Sequence, residues 1–277
     1  KKGIFTSCEE NEKCPPWSIQ AQQIKHDKNE KKLIYNNAIL RVYDIPIFYF
    51  PKFFHPDPTV KRQSGLLTPQ LNNSNILGNS ITIPYYHVVA DNSDFTFKSS
   101  IFDKDILMIQ TEYRQINKYS SLITDFGYTK GYNSASSGKK KDINHLFGKY
   151  DLDLNLDTFQ SSELSLVVER TNNDNYLKVF DSNLTNGRIK PKNFDVLNSE
   201  LKFKLNHENY NLVTGVEAYE NLQLNNSDRY HYILPYYQFD KNLSQNFING
   251  SLSLTSSGTN ELKDTNNLRS KINNDIL

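Results

Sequence analysis

The sequence predicts an all-β fold of antiparallel strands, on three observations. Its 277 residues include 17 Tyr and 16 Phe against a single Met, the usage of pleated, half-buried surfaces rather than of helices. Apolar and polar residues alternate with period two along much of the chain, as they do when successive side chains point to opposite faces of a sheet. The alternating stretches run about 9 to 12 residues, longer than the ~5 to 6 of an ordinary globular strand and close to the ~9 to 11 of a tilted strand that crosses a bilayer.

Charge and hydropathy narrow the class. Lys and Arg number 32 against 31 Asp and Glu, a net charge of +1, which excludes a protein that holds nucleic acid or another polyanion by bulk charge. Mean hydropathy is −0.65, and no apolar run approaches the roughly 18 residues of a spanning helix. The 34 Asn and 25 Lys fit an AT-rich genome and are not read as ligand chemistry. The chain opens at Lys1 with no initiator Met or apolar leader, and Ser270 to Leu277 is polar and lacks a closing element. It therefore reads as an excerpt from a longer protein.

From the N-terminus, Trp17, Ile19 and Ala21 alternate with Ser18, Gln20 and Gln22, and a turn at Asp27 to Glu30 leads into Leu33 to Val42 and then the aromatic run Ile45 to Pro51. These read as short rungs. Prolines at 46, 51, 56 and 58 would interrupt a sheet ladder, so the segment suits edge strands and a connector. A boundary near Lys61 follows, separating residues 1–62 from 63–277.

Beyond it, Tyr150, Leu152, Leu154 and Leu156 interleave with Asp151, Asp153, Asn155 and Asp157, and Leu201, Phe203 and Leu205 with Lys202, Lys204 and Asn206. Weaker copies lie at Ser93 to Ile101, Ile106 to Ile116, Tyr119 to Thr129, Glu163 to Arg170, Tyr210 to Glu220, Tyr230 to Asp240 and Phe247 to Thr255. The gaps from Asn117 onward alternate short and long, with long ones at Lys130 to His145, Thr171 to Asn198 and Asn221 to Arg229. An outer-membrane barrel pairs tight periplasmic turns with long external loops in this way.

Five ordered blocks resemble the LPS-assembly outer-membrane protein family LptD (OstA/Imp). They are Phe5 to Cys8, Trp17 to Ala21, Ile45 to Pro51, Lys61 to Pro69 (KRQSGLLTP) and Ile83 to Tyr86. The resemblance implies the last rungs of a periplasmic β-jellyroll (residues 1–62), feeding the first part of a transmembrane β-barrel that this chain leaves incomplete (63–277). It further implies a role in placing lipopolysaccharide (LPS) at the cell surface, an LptE-like plug lipoprotein and an LptA-like periplasmic bridge as partners, and the outer membrane as location, with the N-terminal segment in the periplasm.

Lipid chains of about a dozen carbons would cost tens of kcal/mol in water at ~0.8 kcal/mol per CH₂, so a carrier must cover them. Trp17, Ile19, Ala21, Ile34, Leu40 and Val42 could form such a groove or simply fill a core, the commoner fate of inward apolar residues. Pro69 and Pro84 fall in the first two barrel strands, and each removes an N–H that a ladder would use. By resemblance they mark a lateral gate; a bulge without gating is the alternative.

Cys8 and Cys14 are the only cysteines. With no second pair and no nearby His, zinc is poorly supported, and disulfide chemistry suits an oxidising periplasm. The family ties a cysteine at the Cys8 position to cysteines near the end of the barrel, whereas Cys8–Cys14 pairing stays open. Lys61 and Arg62 fall within a family block and are candidates for LPS phosphates; Lys139 to Lys141 reads as a solvated run.

Catalysis is not expected. Asp151 and Asp153 share a strand face about 6.6 to 6.8 Å apart, near the carboxyl separation of an inverting glycosidase, but a polar lumen needs such residues anyway. No phosphate loop, nucleophile elbow or H-E-x-x-H motif occurs. No cofactor or metal is implied. A passive outer-membrane porin or receptor, and less readily a secreted β-sandwich hydrolase, are the alternatives.

Overall fold

In the computed structural model of the protein the alternating stretches pair as antiparallel strands in two sheets. The structure describes residues 3–5, 17–42, 45–57, 59–60, 62–74, 76–103, 106–133, 140–184, 187–225, 227–243, 252–263 and 268–276. Contacts divide the chain into Lys1–Gln63 and Ser64–Leu277.

The first unit is a sheet in the order β1 (Gly3–Phe5), β2 (Trp17–Asp27), β3 (Lys32–Val42), β4 (Ile45–Pro56). The expectation of short rungs is corrected: β2, β3 and β4 run 11, 11 and 12 residues. β4 lies at the edge of the sheet, the position where prolines are tolerated, and a register shift between Leu40 and Arg41 falls opposite Pro46.

Asn37 reverses the alternation in mid-strand. It stands at φ 49, its amide donates to Gln22 Oε1 at 2.6 Å and its Oδ1 accepts from the Tyr49 hydroxyl at 2.7 Å. Ala38 and Tyr35, three residues apart, therefore share one cluster with Ala21, packed by Ile19, Ile24, Leu33, Phe50 and Phe53.

The second unit is one sheet of thirteen strands, not two facing sheets. It comprises β5 (Gly65–Leu66), β6 (Gln70–Ser74), β7 (Gly78–Ala90), β8 (Ser93–Phe102), β9 (Leu107–Ile116), β10 (Ser120–Asn133), β11 (Lys140–Asp153), β12 (Ser161–Thr171), β13 (Val196–Asn206), β14 (Tyr210–Asn221), β15 (Tyr230–Leu243), β16 (Leu252–Lys263) and β17 (Leu268–Ile276). Sequential neighbours pair throughout, and β5 and β6 both lie against β7.

Two expectations change here. The C-terminal stretch thought to lack a closing element forms β17, paired with β16 from Leu254↔Ile276 to Leu262↔Leu268. The alternation of gap lengths is also weaker than expected. Most of Lys130 to His145 is strand, leaving 134–139 between β10 and β11, while the nominally short turn after β11 spans 154–160. Only 172–195 is long by a wide margin.

The two faces of the sheet differ in the inverse of the usual sense. On one face Ile81 stands opposite Ile101, Tyr85 opposite Phe97, Phe126 opposite Leu146 and Leu166 opposite Leu201, yet all are exposed, Ile101 at 52% and Phe126 at 47%. The other face buries polar residues, including Thr82, Ser100, Gln110, Glu112 and Asp125. These are mutually bonded, as in Thr82 Oγ1 to Ser100 Oγ at 2.7 Å and Gln110 Nε2 donating to Asp125 Oδ2 at 2.7 Å. Buried polar groups require such partners.

Covering that face, the β12–β13 connection forms two one-turn helices, α1 (Tyr176–Val179) and α2 (Asp181–Leu184). Tyr176, Leu177, Phe180 and Leu184 pack with Phe102, Met108, Ile143 and Phe147 of the sheet.

Replacing Asn37 by Val puts a β-branched residue at positive φ and removes both amide contacts; thermal denaturation is expected to register a loss of about 1–3 kcal/mol. Asn37→Gly keeps the backbone conformation and should lose less.

Candidate functional site

Two features of the second unit bear on chemistry: the seam at its first strands and the polar network under the helices. At the seam, β5 pairs as Gly65↔Tyr86 and Leu66↔Tyr85, and β6 pairs from Gln70↔Thr82 to Ser74↔Gly78. Residues 67–69 break the line between them, opposite Ile83 and Pro84. Pro69 lies in this break, not inside a strand; Pro84 lies within β7, buried, and stands opposite Lys98 of β8.

The Leu67 N–H donates to the Pro84 carbonyl at 2.9 Å. In an extended strand a residue's N–H and C=O point to the same side. The donor that Pro84 lacks is therefore missing from the seam with the edge strand, and the β7–β8 ladder runs on through it. Pro69 and Pro84 thus lie at the same stretch of the seam, where residues 67–69 fall outside the strand pairing.

Under the helices, His145, Tyr176 and Asp125 are fully buried. His145 Nδ1 is 2.7 Å from the Tyr176 hydroxyl, and its Nε2 faces Asp125 Oδ1 at 3.4 Å. The ring stacks on Phe147, centroids 4.3 Å apart. Burial first, then the Asp125 carboxylate, holds the Tyr176 phenol protonated far above its usual range. All three side chains are buried, and the arrangement fastens the connection to the sheet. Room for it comes from Gly127, opposite both Gln110 and His145 in the register: a Cβ there would lie 2.4 Å from His145 Cε1 and 2.9 Å from the Tyr176 hydroxyl.

The expected groove residues separate. Trp17 pairs with Val42, Ile19 with Leu40 and Ala21 with Ala38 along β2 and β3. Ile34 stands opposite Lys25 and is absent from the apolar cluster, where Tyr35 and Leu33 take its place; the turn of backbone at Asn37 is the cause. Arg62, in the sequence after β4, is half-buried. Cys8, Cys14, Lys61 and Lys139 fall outside the described residues.

Asp151 and Asp153 are occupied structurally. Asp151 accepts from Ser165 Oγ at 2.7 Å and pairs with Lys149 at 2.9 Å, and Asp153 Oδ1 accepts the Asn155 N–H at 2.9 Å. Sequence reasoning missed the Asp125–His145–Tyr176 fastening. Its signal was the spacing of Tyr176, Leu177, Phe180 and Leu184, an apolar stripe of helical period inside what reads as a loop.

Taken together, the sheet and its seam define an antiparallel β protein with an apolar outer face, a polar covered face and a weakened first strand. No family model matches the chain. Pairwise comparison does find relatives. The chain is 36% identical over 118 residues to the LPS-assembly protein LptD of Polaromonas sp., covering 42% of this chain and 14% of that protein. It is 30% identical over 179 residues to that of Pseudoalteromonas translucida, covering 65% and 23%, and 27% identical over 224 residues to that of Pseudomonas fluorescens, covering 79% and 22%. These relatives are LPS-assembly proteins of the LptD family, and the chain, similar to them over part of its length, spans under a quarter of theirs.

Gly127→Ala is expected to overpack the fastening at a cost of about 1–3 kcal/mol and to make residues 172–195 protease-sensitive. Gly148→Ala, whose nearest neighbour would be 3.8 Å away, should leave both melting temperature and proteolysis unchanged.

Proposed function

We propose that this chain is the jellyroll end and first barrel strands of an outer-membrane translocon component that assembles LPS at the cell surface. The observation that carries the reading is the inverted sheet: apolar side chains exposed across β7 to β13 over a polar opposite face, in a relative of LPS-assembly proteins. Water would penalise that outer face by about 25 cal/mol per Å², whereas hydrocarbon would not. Strands of 10 to 14 residues rise about 3.3 Å per residue and, tilted by about 40°, match an apolar band about 25 Å tall. A single sheet with a polar covered face is also what a sandwich hydrolase would lack.

In this reading acyl chains follow the apolar face of the first unit, along Ile19, Ala21 and Leu40. They leave sideways at the β5/β6–β7 seam, where Pro69 and Pro84 limit the backbone bonds to be broken. The sugar passes along the polar face. An LptE-like plug, an LptA-like bridge and any disulfide of Cys8 or Cys14 belong to the same reading, as do phosphate contacts by Lys61 and Arg62.

Leu146→Lys places a charge on the lipid-facing surface and is expected to cost up to about 2–4 kcal/mol, read as loss of the heat-modifiable assembled band; Ser165→Lys, on the polar face, should assemble. Export itself is tested by depleting the protein and measuring surface-accessible LPS. The wild-type gene is expected to restore it, and Pro69→Ala with Pro84→Ala to restore it more slowly through a tighter seam. Unchanged LPS on depletion would end the reading, while equal rates for the variants would end only the gate.

A further inference from the structure

Beside the seam, on the covered face, lies a cleft of about 340 Å³ whose lining includes Thr68, Gln70, Pro84, Lys98, Arg114 and Arg188. Its charge is unbalanced. Arg114 Nη1 donates to Glu112 Oε1 at 2.8 Å and its Nη2 to Thr96 Oγ1 at 2.9 Å, and Arg114 also pairs with Asp94. Arg188 Nε approaches the same Glu112 Oε1 at 3.9 Å. Two guanidinium groups thus converge on one carboxylate oxygen whose side chain is only 4% exposed, while the Arg188 side chain remains 68% exposed. Lys98, opposite Pro84 on β7 and Gln110 on β9, forms no ion pair among the described residues.

Three cations therefore meet two carboxylates, which leaves one positive charge over; Lys98 has no carboxylate partner among the described residues, and Arg188 touches Glu112 only at 3.9 Å while its side chain stays exposed. Arg188 is held there by the fold. Leu184 is buried in the apolar cluster, and at Gly187 the chain runs so close to β10 that a Cβ would sit 3.7 Å from Asp125 Oδ2 and 3.0 Å from the Leu184 carbonyl. The next residue is delivered to Glu112. A guanidinium and an ammonium lining one cleft are a pairing that can bind phosphate: the first supplies a planar fork, the second a point charge. Thr68 and Gln70 add neutral hydrogen-bonding groups suited to sugar hydroxyls.

Resting on the export reading, we infer that this cleft is an anion subsite that takes a phosphate of the exported amphiphile's sugar headgroup as it passes the seam, with Lys98 and Arg188 as its ligands. Neither residue falls in the sequence blocks that carry the family resemblance.

The test uses the intact protein in detergent and titrates three probes by calorimetry: a deacylated, bis-phosphorylated glucosamine disaccharide, the same disaccharide without phosphates, and inorganic phosphate. The phosphorylated disaccharide is expected to bind saturably and to weaken as salt rises, and to lose roughly tenfold in affinity, about 1.4 kcal/mol, with Lys98→Gln or with Arg188→Gln. Lys98→Arg should restore binding, and Lys118→Gln, at the distant β9–β10 turn, should not alter it. Heat-modifiable migration reports assembly; if Lys98→Gln fails to assemble, Arg188→Gln, in the connection, decides the matter. Equal binding of the unphosphorylated disaccharide, or undiminished binding by the Arg188 variant, overturns the subsite. Inorganic phosphate binding as tightly as the disaccharide overturns the headgroup assignment in favour of a free-anion site. These outcomes are independent of the depletion experiment, so the subsite can fail while the export reading stands.

Discussion

The constraint on which the second unit depends is that its polar side chains face inward and must satisfy one another. Exposed aliphatic and aromatic groups over seven strands leave Thr82, Ser100, Gln110, Glu112, Asp125 and His145 on the buried side, where an unpartnered polar group costs about 1–3 kcal/mol. Much else follows. Arg114 must be gripped by Glu112 and Thr96, Gln110 by Asp125, and Tyr236 by Glu200 at 2.7 Å. The β12–β13 connection extends this bonding upward, closing the face with its own apolar residues around one buried polar chain.

Backbone pairing obeys a parallel rule that is relaxed in one place. From β7 to β17 every strand has a continuous neighbour, interrupted only by local register shifts. The first strand is instead split by a break at 67–69, and Pro84 withdraws a donor on that same side. The break in the first strand and the cations Lys98 and Arg188 lie around the same cleft; on the proposed export reading, exit and anion subsite would adjoin.

Much of this was legible in the residues. Ser93 to Ile101 and Tyr210 to Glu220 coincide with β8 and β14 almost to the residue, because an uninterrupted period of two has no competing helical reading. The edge position of the proline-rich β4 followed from missing N–H groups. Phe247 to Thr255 was placed too early relative to β16, since polar Ser and Thr alternate with little contrast there. That Ile34 lies outside the apolar cluster of the first unit has a sharper reason: one left-handed residue, Asn37, reverses the alternation in mid-strand, and asparagine does not announce φ 49. The paired prolines were visible as residues, but that both act on one seam depends on which side of β7 its carbonyls point.

The sequence by itself determined that the chain is all-β, with long strands, one apolar and one polar set of side chains, and the blocks of an LptD relative. Those properties are local, set by alternation and by residue type. Only the tertiary structure decided which set is exposed, that α1 and α2 pack onto the polar face, and that Arg188 meets Glu112 from 76 positions away in the chain. Such contacts are made by register and closure across strands, and no periodicity along a single strand encodes them.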